Sequence, residues 1–148
     1  MIKTKAEVAR ELGRSMAELR THLRQYIQVK IKENSINITF EMLEVMSFLW
    51  KKDGVNQQEI ADKTLRDKSS MTYLIDNLTK RDMVTRVEDE SDRRNKLIYL
   101  TEEGKRLQEQ LNPWIAEVYE MATANLSITD LKMSAALLDK MICNLKNE

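Results

Sequence analysis

The sequence predicts a mainly α-helical fold with one small β-hairpin, and three observations predict it. Apolar residues recur at steps of three and four along most of the chain. A single stretch, residues 84–100, alternates apolar and polar side chains on either side of a charged run. Three Gly and one Pro in 148 residues leave little material for linkers or low-complexity tracts. A chain of this length is expected to form a single domain, residues 1–148, with a real core.

The elements follow in order. Between residues 5 and 31, Val8, Leu12, Met16, Leu19, Leu23, Tyr26 and Ile27 make one stripe on a long first helix. After a break at 34–37, Thr39 is placed to cap a second helix with Phe40, Leu43, Met46 and Leu49 inward. That helix should close before Lys52-Asp53-Gly54, where glycine suits a left-handed cap. Asn56 and Glu59 have capping-box spacing and open a short helix expected to send Ile60, Ala61 and Leu65 to the core. A helix over about 67–81 buries Met71, Leu74, Ile75 and Leu78. Its other face carries Ser69, Ser70, Thr72, Tyr73, Asp76, Asn77 and Lys80, hydrogen-bonding groups where Glu/Lys pairs usually solvate a helix.

Two short helices at a tight turn, the second with such a face, form a helix-turn-helix. The strand pair that follows, with its tip over 90–95, is a wing. Thr101 caps a long helix through Leu107, Leu111, Trp114 and Val118, expected to kink at Pro113, and Thr129 caps a last helix with Leu131, Ala135, Leu138, Ile142 and Leu145 inward. The fold class is therefore mainly α with a small β-hairpin wing. The winged helix-turn-helix lobe spans 38–101, and the terminal helices, 1–33 and 102–148, form a homodimerisation region because their apolar stripes exceed what a small central core can cover.

Two surfaces carry chemistry. A helix entering a major groove needs compact donors and acceptors near its first turn. Ser69, Ser70, Thr72 and Tyr73 supply them, Asn77 adds an amide, and Lys68 and Lys80 add cations for phosphates. A solvated polar face is the competing reading of this helix taken alone. The wing tip, Asp92-Arg93-Arg94-Asn95-Lys96, has the shape and charge to enter a minor groove, where negative potential attracts arginine. Asp92 is expected to pair with one of the two arginines and fix its direction. A surface loop with incidental charges is the competing reading there.

The run 55–107 resembles the winged helix-turn-helix core of the MarR family of bacterial transcription regulators, most specifically in "DKSSMTYLIDNL", the "DRR" wing tip and "LTEEGKRL" entering the next helix. Helix order and length extend the likeness over essentially the whole chain. The resemblance implies a homodimer with interlocked terminal helices, binding to a pseudo-palindromic double-stranded DNA operator, and often a small-molecule effector that releases the DNA. It implies base or phosphate contacts for Ser69, Ser70, Thr72 and Tyr73, and a minor-groove role for Arg94 supported by Asp92. Tyr73 stands where the family often has arginine, so bidentate reading of guanine is not available at that position.

Other classes find little support. No histidine lies beside a nucleophile and no glycine-rich phosphate loop occurs, so no enzyme is read here. His22 is the only histidine and Cys143 the only cysteine, which speaks against a metal site or an internal disulfide. Cys143 is expected as a small buried hydrophobe at the dimer seam. Met16, Met42, Met46 and Met121 read as core, with a pocket for an effector as the other reading. No cofactor is expected, and the absence of a signal-like N-terminus or an apolar span points to the cytoplasm. The formal charge is zero, so only local clustering could favour a polyanion, and a winged-helix protein-interaction module without DNA remains the alternative function.

Overall fold

The computed structural model describes residues 1–146. The chain runs α1 (Lys5–Glu33), α2 (Phe40–Lys51), β1 (Val55–Asn56), α3 (Gln57–Lys63), α4 (Lys68–Lys80), β2 (Val84–Asp89), β3 (Asp92–Leu100), α5 (Glu102–Ala122) and α6 (Ile128–Lys146). It divides into two compact units, residues 1–116 and 117–148.

In the first unit, α1 opens with a complete capping box. Thr4 accepts from the Glu7 N–H at 3.2 Å, and the Glu7 carboxylate accepts from the Thr4 N–H at 2.7 Å. Only the end of α1 is buried, at Ile27 and Ile31, while Val8, Leu12, Met16 and Leu19 of the same stripe lie exposed. Thr39 caps α2 as expected, and Met42, Leu43, Val45, Met46 and Leu49 are buried. With Ile60, Met71, Ile75, Leu78, Ile98 and Leu111 they form the core, each such side chain contributing about 1.5–3 kcal/mol of transfer free energy. Thr101 caps α5, accepting from the Gly104 N–H at 3.0 Å, and α5 runs unbroken through Pro113.

Four expectations change. The sheet has three strands in the order β1-β3-β2, because Val55 and Asn56 pair antiparallel with Ile98 and Leu97. Asn56 caps α3 alone, accepting from the Gln58 N–H at 2.7 Å, while Glu59 accepts from Lys52 Nζ at 3.1 Å instead of closing a capping box. Leu65 is 93% exposed at φ 55°. The helix has already ended at Lys63, and the Arg66 N–H folds back onto the Ala61 carbonyl at 2.9 Å in a Schellman-type close, which swings Leu65 outward. Gly54 is left-handed, at φ 64°, but it stands beyond the extended C-cap Lys52, in the turn that leads to β1.

The second unit holds the end of α5 and all of α6. Its cap is Ser127 rather than Thr129: the Asp130 N–H donates to Ser127 Oγ at 3.0 Å, starting the helix two residues earlier. No residue of α6 is buried, and Leu131, Leu137, Met141 and Ile142 are exposed along it. Cys143, expected in a seam, is exposed in the single chain.

Candidate nucleic-acid interface

The first turn of α4 is set by Asp67, whose carboxylate accepts the Ser70 N–H at 2.7 Å. That bond, followed by one from the Ser70 hydroxyl, holds the Asp67 carboxyl below its ordinary range. The turn between α3 and α4 leaves Lys68 and Ser69 exposed and Ser70 half-buried, with Tyr73 66% exposed one turn on. Lys80 is exposed at the last position of the helix.

Other outward residues of α4 are engaged within the lobe. Thr72 Oγ1 accepts from Gln57 Nε2 at 3.0 Å. Asn77 donates from Nδ2 to the Tyr73 carbonyl at 2.8 Å, and its Oδ1 accepts from Arg81 at 3.2 Å. Asp76 is ion-paired with Arg86 of β2 at 2.5 Å. Arg86 also donates from Nε to Gln57 Oε1 at 3.2 Å and from Nη2 to the Thr72 carbonyl at 3.3 Å, so one guanidinium ties β2 to both helices. Arg86 reads from the sequence as an alternating strand residue. Its role depends on three elements meeting, and the only trace is a basic residue at a half-buried strand position.

The wing is tighter than its sequence suggests. The turn is Glu90-Ser91, and the basic run belongs to β3. Glu88 pairs with Lys96 while Asp89 pairs with Asp92, so Arg93, Arg94 and Asn95 are surplus residues on β3 and bulge from the ladder. Asp92 anchors the bulge: its Oδ1 accepts the Arg94 N–H at 3.0 Å and lies 3.9 Å from Arg94 Nε. The Arg94 side chain is 96% exposed, so this ion pair orients more than it stabilises. Lys96 is paired with Glu88 at 2.8 Å, which lowers the Glu88 pKa, and Ser91 does the same for Asp89. Asn95 Oδ1 accepts from Asn56 Nδ2 at 2.8 Å, joining the bulge to the start of α3.

Two clefts flank α4. One, of about 250 Å³, brings Lys68, Arg94 and Lys96 together with Asn56 and Gln57, so that helix and wing share a basic recess. The other, of about 480 Å³, is lined by Thr39, Arg66, Ser69, Ser70 and Tyr73. There Arg66 donates to Glu44 at 3.0 Å.

A short helix pair at a tight turn, its second helix outward, followed by an arginine-bearing hairpin of a three-stranded antiparallel sheet, defines a winged helix-turn-helix protein. Residues 38–96 match the model of the MarR family. It is 29% identical to the HTH-type transcriptional regulator MhqR of Bacillus subtilis over 137 residues, covering 91% of this chain and 89% of MhqR. A MarR transcriptional regulator from Methanosarcina mazei superposes with a TM-score of 0.80 at 25% identity, covering 94% of this chain and 99% of that one. A mutant MarR from E. coli, solved in complex with operator DNA, has the same fold, with a TM-score of 0.76 at 19% identity over 94% of this chain and 99% of that one. No helix among the described residues is long and apolar enough to cross a membrane.

Proposed function

We propose that this chain is a homodimeric repressor that binds double-stranded DNA at a pseudo-palindromic operator and is released by a small-molecule effector. Helix α4 enters the major groove with Ser69, Ser70 and Tyr73 leading, and Arg94 of the wing enters the adjacent minor groove. The observation that carries this reading is the exposed first half of α4 beside a bulged, almost fully exposed arginine on the same lobe. The relatives named above, a transcriptional regulator and a MarR solved with operator DNA, agree with it. Lys68 and Lys80 serve as phosphate contacts, with Arg93 and Lys96 around the wing. Thr72 and Asn77 act as positioning residues, because their polar atoms already hold the lobe together.

The dimer is assigned to segments 1–33 and 102–148, with 38–101 as the DNA-binding lobe. Apolar residues exposed along α1, and an α6 with nothing buried, are faces that a second copy would cover. Two-fold symmetry would then set two α4 helices about one DNA turn apart, ~34–36 Å.

The test is a mobility shift of the full chain against the DNA upstream of its own gene. Affinity should fall steeply with salt, and Lys68→Gln should reduce the logarithmic salt slope by about 1. Arg94→Ala and Ser70→Ala should weaken binding while the helical circular dichroism stays unchanged. If both variants bind as tightly as the parent, or if the chain sediments as a solitary subunit, the reading is wrong.

A further inference from the structure

The side chains best suited to reading bases by paired hydrogen bonds are already used up inside this lobe. Asparagine and glutamine read adenine bidentately, and arginine reads guanine. Three of the four amides of the helix-turn-helix are committed through both polar atoms, and the fourth, Gln58, sits exposed on α3 with its Nε2 given to Asp62. Asn56 holds the Gln58 N–H and Asn95, Gln57 holds Thr72 and Arg86, Gln58 holds Asp62, and Asn77 holds Arg81 and the Tyr73 carbonyl. Helix α4 carries no arginine, and Arg66, in the turn before it, is bonded to Glu44. Lys68 lines the recess it shares with Arg94 and Lys96, a place for a phosphate rather than a base. Lys80 lies seven residues beyond Tyr73, ~10 Å further along the axis.

What remains at the groove is two small hydroxyls, Ser69 and Ser70, and the exposed ring of Tyr73. Serine accepts any base pair, so neither hydroxyl selects one. The ring is the one large exposed hydrophobic side chain of α4, and the one apolar group a major groove offers is the thymine C5 methyl.

We infer that Tyr73 is the specificity-determining residue of α4, that it packs against a thymine methyl in each half-site, and that α4 reads no guanine. Discrimination beyond that methyl comes from the shape of an A·T-rich duplex, whose narrow minor groove accepts the wing arginine. This rests on the DNA-binding reading above and names the class of site it takes.

The experiment begins with selection of duplexes from a random pool by the full-length chain. In the selected site, each thymine is replaced by uracil, which lacks only the methyl, and each guanine by 7-deazaguanine, which lacks the N7 acceptor. One thymine per half-site should lose about fourfold in affinity as uracil, the worth of one buried methyl group. That difference should persist in Tyr73→Phe and vanish in Tyr73→Ala. Arg94→Ala should weaken thymine and uracil duplexes alike. A guanine whose 7-deaza form costs tenfold or more at a position facing α4 would overturn the inference, as would a uracil effect that survives in Tyr73→Ala. Enrichment of no sequence at all would instead remove the DNA-binding reading, a distinguishable failure.

Discussion

Replacing Arg86 with alanine should cost this protein about 2–3 kcal/mol. The guanidinium makes three connections from β2: an ion pair to Asp76, a bond to Gln57 Oε1 and a bond to the Thr72 carbonyl. Asp76 is 48% exposed, so the ion pair takes the discount of a solvent-screened contact and is worth about 0.5 kcal/mol. The two hydrogen bonds from a charged donor, half-buried between helices and sheet, add about 1 kcal/mol each. The aliphatic stem, held where the side chain is 26% exposed, adds a few tenths more, of order 0.5 kcal/mol or less. For a chain of this size the melting temperature should fall by about 4–12 °C. Thermal unfolding is followed for parent, Arg86→Ala, Asp76→Ala and the double variant at one protein concentration, because dimerisation would make the midpoint concentration-dependent. The cycle should return a coupling of about 0.5 kcal/mol that shrinks in 1 M salt, while most of the Arg86 loss persists there. An Arg86→Ala protein within about 0.5 kcal/mol of the parent would show that α3, α4 and β2 do not depend on this side chain.

Further outcomes are expected. Gly104→Ala should lower stability by at least about 2 kcal/mol, since a Cβ there collides with the Met83 carbonyl oxygen, a backbone atom. Gly13→Ala, facing open space on α1, should instead gain about 0.5–1 kcal/mol, and the two variants are compared by denaturant midpoint. Leu65→Asn should raise the melting point by a few degrees, because leucine at φ 55° is strained by roughly 1–2 kcal/mol and buries nothing in exchange. Acid should weaken the fold through Glu41, Asp67, Glu88 and Asp89. Each has a folded pKa below its ordinary value, so its contribution is full above the usual carboxylate range near ~4 and is lost as pH falls through the lower folded values. Asp67→Asn, which keeps the capping oxygen without the titration, should make the acid limb of the unfolding curve shallower and leave neutral stability nearly unchanged.

By itself the sequence determined the helices, the hairpin and the outward face of α4. The reason is local: a 3.6-residue apolar period can bury one stripe only as a helix, a period of two only as a strand, and Thr39, Thr101 and the Asn56 cap are satisfied by backbone within three residues. It determined equally that Arg94 would stand on the wing beside Asp92, although in a bulge of β3 rather than at the tip. Only the tertiary structure decided what depends on distant partners. Strand β1 is two residues long and exists because β3 offers it an edge, so no pattern in Val55-Asn56 could announce it. Leu65 looked like a core residue until the chain reversal after Lys63 carried it outward. Which polar groups of α4 are left for a ligand was settled by competition, since a hydrogen bond goes to the partner that packing brings within about 3 Å. Gln57, Arg81 and Arg86 reached Thr72, Asn77 and Asp76, and the ring of Tyr73 stayed exposed.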